Sequence, residues 1–156
     1  MAFSPSQQGI YRPLVDAAWK LHSRRSGTPE KDKPARADWY ATELQKAIGS
    51  RSTKTANKGR HFERACAHFE ALADAGITHQ LRLIAGDLKR LKMAVGKINP
   101  AYLRDLGTDA QITAYAKGIA AQARLPHVEL HELTDPQIQI IQRALCCDAH
   151  RALKAA

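Results

Sequence analysis

Lysine and arginine are the side chains whose number and spacing in this chain most directly imply chemistry. Between Lys20 and Arg64 twelve of them face only five carboxylates, a local excess of seven. Arg24, Arg25, Lys31, Lys33 and Arg36 fall in one polar stretch, and Arg51, Lys54, Lys58 and Arg60 fall in or beside a second. Ser52, Thr53 and Thr55 add hydroxyl donors to the second stretch. Flexible cations beside small hydroxyls suit the sugar–phosphate backbone of nucleic acid, where charge is neutralised without reading bases. A further basic set, Arg82, Lys89, Arg90, Lys92 and Lys97, accompanies only Asp87 between Gln80 and Lys97. A solvated loop and an ordinary solvent-facing helix side would use the same residue types, so both readings stand at this point.

Other chemistries have weaker support. His61, Cys66 and His68 sit at steps that do not bring three ligands to one helix face, and Cys146, Cys147 and His150 are too few for a closed zinc site. His127-Val128-Glu129 has the His-x-Glu of zinc deaminases without the partner Pro-Cys-x-x-Cys. No phosphate-binding glycine loop, Gly-x-Ser-x-Gly elbow or His-Glu-x-x-His occurs. The expectation is a protein with no catalytic residues, no metal and no cofactor. Trp19, Trp39 and Tyr40 could stack on bases, but their apolar neighbours at helical spacing favour the core.

The totals agree with a charged partner. A formal charge of +9 over 156 residues places nucleic acid first among partners and a membrane surface second. No apolar run approaches the ~20 residues that span a bilayer, and the start, MAFSPSQQGIYRP, lacks a basic-then-apolar leader. Three cysteines, two of them adjacent, do not form a disulfide framework. An intracellular, cytoplasmic protein with reduced thiols is expected.

The elements that would position these cations are helical throughout. Leu133–Leu153 reads most clearly: Thr134 as N-cap, Pro136 in the first turn, and Ile138, Ile141, Leu145, Ala149 and Ala152 as one buried stripe. Gln80–Lys97 has Leu81, Ile84, Leu88, Leu91 and Val95 inward, Thr78 as N-cap and Gly96 as its end. Asn99-Pro100 breaks the chain before a short turn at Tyr102–Leu106, and Thr108 or Asp109 caps a helix with Ile112, Tyr115, Ala116, Ile119 and Ala120 inward. Further back, Phe62, Cys66, Phe69 and Leu72 mark a helix ending at Gly76, and Asp38 caps one that stops at Gly49. The first helix either begins near Tyr11 or is kinked at Pro13. His22–Ala37, with two prolines and a glycine, reads as a solvated loop. The fold class is all-α: a compact bundle of about six helices, in which residues 1–76 and 77–156 form two related units packed into one globule.

Two stretches carry a family resemblance. Trp39-Tyr40-Ala41-Thr42-Glu43-Leu44-Gln45 leads through Ile48-Gly49-Ser50-Arg51-Ser52 to the Phe62–Leu72 helix. Near the other end, Ile112–Ala123 and the connector Leu125–Glu132 precede Leu133-Thr134-Asp135-Pro136-Gln137, with Ile141 and Leu145 following. In these the sequence resembles the GemA regulatory proteins of Mu-like bacteriophages. It departs from them at Ala56-Asn57-Lys58, where a second Leu-Thr-Asp is expected, and at the Thr28–Arg36 insertion. The resemblance implies a small, non-enzymatic phage or prophage regulator acting on DNA transactions, with DNA preferred over RNA. The alternative reading is an interaction module that grips a host or phage DNA-processing protein through an apolar patch with a basic rim.

Overall fold

The computed structural model describes residues 3–56 and 59–156. Among them are seven α-helices, two 3-10 turns and no strand. The chain divides between Leu83 and Ile84, inside the fourth helix, into two compact units.

The first unit holds α1 (Pro5–Ser26), α2 (Lys33–Ile48), α3 (Arg60–Leu72) and the opening of α4 (Thr78–Ile98). Ser4 caps α1 by accepting from the Gln7 N–H, and the Gln7 side chain returns the bond. The helix runs on through Pro13, although a proline there leaves the Gly9 carbonyl without its usual donor. Tyr11, Val15, Ala18 and Trp19, buried on both sides of Pro13, anchor the helix through that position.

The expected His22–Ala37 loop is much shorter, residues 27–32. Ser23 is buried and donates to the Thr28 carbonyl at 2.8 Å, and His22 stacks on Trp39, so the last turn of α1 is packed. Trp19 donates its indole N–H to the Glu30 carbonyl, pinning the loop. The N-cap of α2 is Asp32, accepting from the Ala35 N–H at 3.0 Å, and not Asp38, which lies exposed inside the helix. Lys33-Pro34 is a helix start, because proline in the first turn loses nothing.

Phe69 is the centre of the first core. Its ring meets Tyr11, Trp39 and Tyr40, while Phe3 sits edge-on between Tyr11 and Phe62. Glu43 of α2 accepts from Lys46 and lies 2.8 Å from His68 Nε2 of α3. Burial pushes the Glu43 carboxyl up, but Lys46 and His68 outweigh it and hold the group below the usual range. The α3 helix ends at Leu72, ahead of Gly76, with Asp74 in the left-handed region and the Ala75 N–H returning to the Glu70 carbonyl.

Thr78 is the first residue of α4, and a distant side chain does the capping expected of it. The Glu70 carboxylate, buried in α3, accepts from the Thr78 N–H at 3.1 Å and the His79 N–H at 2.8 Å. The buried line of α4 then steps by four through His79, Leu83, Asp87, Leu91 and Val95. Leu81 falls opposite that line and is 56% exposed, contrary to the three-and-four spacing that placed it inside.

The second unit comprises the rest of α4 with α5 (Pro100–Leu106), α6 (Asp109–Gln122) and α7 (Asp135–Ala155). The α4 helix continues past Gly96 to Ile98. Asn99 caps α5 through the Tyr102 N–H and donates to the Ala149 carbonyl of α7. Thr108 and Thr134 each form a reciprocal cap with a glutamine three residues on. Leu88, Leu91, Val95, Ile112, Ile138, Ile141 and Leu145 fill the core, joined by Leu130 and Leu133 from the connector. Ala152 is only half-buried, and Tyr115, which the spacing placed inward, is 42% exposed, its hydroxyl donating to Asp148 at 2.7 Å. No helix of the described residues is long and apolar enough to cross a membrane.

Two substitutions measure these constraints in urea unfolding followed by the helical circular dichroism signal. Leu145→Ala, at a fully buried site, should cost about 2–5 kcal/mol. Gly107 has φ 91° and ψ −138°, and an added Cβ would strike the Gln111 carboxamide that caps Thr108, so Gly107→Ala should cost ~1–3 kcal/mol.

Candidate nucleic-acid interface

Residues 1–83 contain fourteen of the twenty-four lysines and arginines and eight of the fifteen carboxylates. Three of these cations, Arg12, Lys33 and Arg36, line a groove of about 550 Å³ between α1, α2 and the 3-10 turn Thr53–Thr55. Arg12 and Gln8 enter from α1, Lys33 and Arg36 from the first turn of α2, and Thr53 from the turn. The start of α2 adds the positive end of its dipole on the same side.

Two phenols form the inner wall. Tyr11 is buried and donates its hydroxyl proton to the Tyr40 oxygen at 3.0 Å. Burial, then the bond to Tyr40, pushes the Tyr11 phenol far above its usual range, and burial also raises Tyr40. Both therefore stay neutral. The Tyr40 oxygen accepts this hydrogen bond and keeps its own O–H to donate, since a phenol carries one donor. Among the described residues it meets no acceptor. Arg12, Lys33, Tyr40 and Thr53 thus present donors to whatever oxygen-rich anion enters. Arg36 pairs with Asp16 on the groove wall, which fixes its guanidinium and removes most of its net charge.

The other cations expected to contact phosphate are spread more widely. Arg24 and Arg25 close α1, exposed, with Arg25 3.9 Å from Asp74. Lys31 lies in the 27–32 loop and Lys54 in the 3-10 turn, both exposed. Arg51 reaches Asp38 at 3.4 Å. Lys58 lies outside the described residues, and Arg60 opens α3 half-buried. Arg82 is exposed on α4 within the first unit, whereas Lys89 and Lys92 belong to the second, where Lys92 pairs with Asp109 at 2.9 Å. The groove brings together only Lys33 and Arg36 of the expected set. It adds Arg12, which the sequence signalled only as the middle of a polar i, i+4 row Gln8–Arg12–Asp16 beside the buried Tyr11–Val15 stripe.

The metal-like spacings do not converge. Among the described residues no three His, Cys, Asp or Glu side chains could hold an ion. Cys66 is fully buried, and burial with the nearby Glu63 and Glu70 charges pushes its thiol up to about 12. Cys147 is exposed.

The tyrosine pair has a pH signature. Because the fold favours the neutral phenols, their contribution is complete below the ordinary phenol value of 10.0 and is lost as pH rises above it. Stability should therefore fall in the alkaline limb, and Tyr11→Phe should shift that limb upward; an unchanged limb would show that the pair does not govern it. Comparison with protein families, curated proteins and solved structures finds no match to this chain.

Proposed function

We propose that the protein binds nucleic acid through its phosphate backbone, without base reading, and takes DNA ahead of RNA as a small regulator of phage or prophage origin. The observation that supports the reading is the first-unit groove, where Arg12, Lys33 and the donor-ready Tyr40 hydroxyl face the same space. An ammonium, a guanidinium fork and hydroxyls around one opening match the tetrahedral array of phosphate oxygens. The role as a phage regulator and the preference for DNA rest on the resemblance to GemA proteins. Loop cations such as Lys31 and Lys54 would extend the contact along the strand.

The test is fluorescence anisotropy of a labelled duplex and the matching single strand across a salt series. Each phosphate contact adds about 0.9 to the log–log slope on duplex, so Arg12→Ala and Lys33→Ala should each lower it by roughly that amount. Lys154→Ala, exposed near the end of α7, should leave it unchanged. No binding at low salt, or a slope that ignores Arg12 and Lys33, would remove this reading.

A further inference from the structure

The second unit has a concavity of different character, about 640 Å³, between α4 and α5. Most of its lining is apolar, from Ala85, Leu88 and Gly96 of α4 and Leu103 of α5, and Lys92 among them is paired with Asp109 at 2.9 Å. A Cβ on Gly96 would stand 3.1 Å from Leu103 Cδ2, so the two helices cross almost in contact there and close one end. Met93 stands at the rim, 53% exposed, although Leu88 beneath is nearly covered. Lys89, Met93 and Lys97 fall at i, i+4 and i+8, so one edge of the trough carries an ammonium at each end and a flexible thioether between. Lys89 and Lys97 are exposed and have no carboxylate partner among the described residues.

We infer that this trough docks an acidic amphipathic helix of a partner protein. From Ala85 to Lys97 the trough is about 18 Å long, the length of roughly three helical turns. Leucine-like side chains would fill the floor, and carboxylates about two turns apart would meet Lys89 and Lys97. Other occupants fit less well. Nucleic acid would meet mainly apolar surface, with the Lys92 ammonium already held by Asp109. A membrane needs a protruding apolar face, whereas the leucines here are recessed and Asp109 sits on the rim. A second copy, docked about a two-fold axis, would set lysines against lysines. The inference uses the second unit alone and does not rest on the nucleic-acid reading.

The probe is a synthetic labelled 14-residue peptide with leucines at i, i+3, i+7 and glutamates flanking them, compared with its scramble and with a lysine-for-glutamate version. Anisotropy should show the acidic helix binding about tenfold tighter than either control, as two exposed charge pairs and a register-specific apolar face allow. In the Lys89→Glu/Lys97→Glu variant that preference should invert, the lysine peptide now binding better. Both positions are exposed, so the fold should persist, and circular dichroism checks it. Met93→Ala should weaken both matched pairs. Equal binding of the scramble, or no inversion, overturns the proposal. So does loss in the double variant of duplex binding, of anionic vesicle binding, or of a dimer seen by sedimentation, each of which would assign the lysines to another partner.

Discussion

A carboxylate shut away from water must be given hydrogen bonds, because an unpaired buried charge costs several kcal/mol. Glu70 receives two, from the first two N–H groups of α4. Those groups would otherwise be unsatisfied, since no residue one turn earlier can supply them. One side chain of α3 therefore fixes where α4 begins and which way it faces. Within the first unit His79 and Leu83 are buried, His79 against the Phe62 ring; within the second, Leu88, Leu91 and Val95 enter the core. On the second unit's stretch of α4, Lys89, Met93 and Lys97 are exposed. His79 adds a bond from its ring to Glu63 at 2.9 Å, so the junction is tied by two carboxylates of the same helix.

The parts of the fold legible in the sequence were those governed by local rules. Thr108, Thr134, Asn99 and Gly49 end or begin helices where a side chain or a glycine acts within a turn of its own position. What was not legible depended on packing and on partners more than one helical turn away. Pro13 reads as a helix start or a kink until the helix is seen to run from Pro5 with Tyr11 and Val15 buried around it, and Ser23 reads as loop until the Thr28 carbonyl is placed. The capping of α4 came from eight residues away. The candidate interface follows the same division. Lys33 and Arg36 were visible as charges, but Arg12 and the free proton of Tyr40 have meaning only once α1 and α2 lie side by side.

Formal charge also overstates what is available for binding. Arg25, Arg36, Arg51 and Lys92 all have carboxylates nearby, so a count of cations is not a count of contacts. Exposed pairs of this kind contribute little to stability, and an incoming polyanion competes with them easily. Their effect is to orient the arginines. Arg36 is held against Asp16 on the groove wall, close to Arg12 and Lys33, which have no such tether among the described residues.

The aromatic residues are unevenly shared. Both tryptophans and all three phenylalanines belong to residues 3–83, with Trp19 buried and Trp39 half-buried against Phe69. Intrinsic emission excited at the red edge of the protein band is therefore a private optical reporter of the first unit, and the second is dark at that wavelength. Spectral changes during melting or titration carry an address. A colour shift speaks for one half of the chain, and silence leaves the other half unexamined.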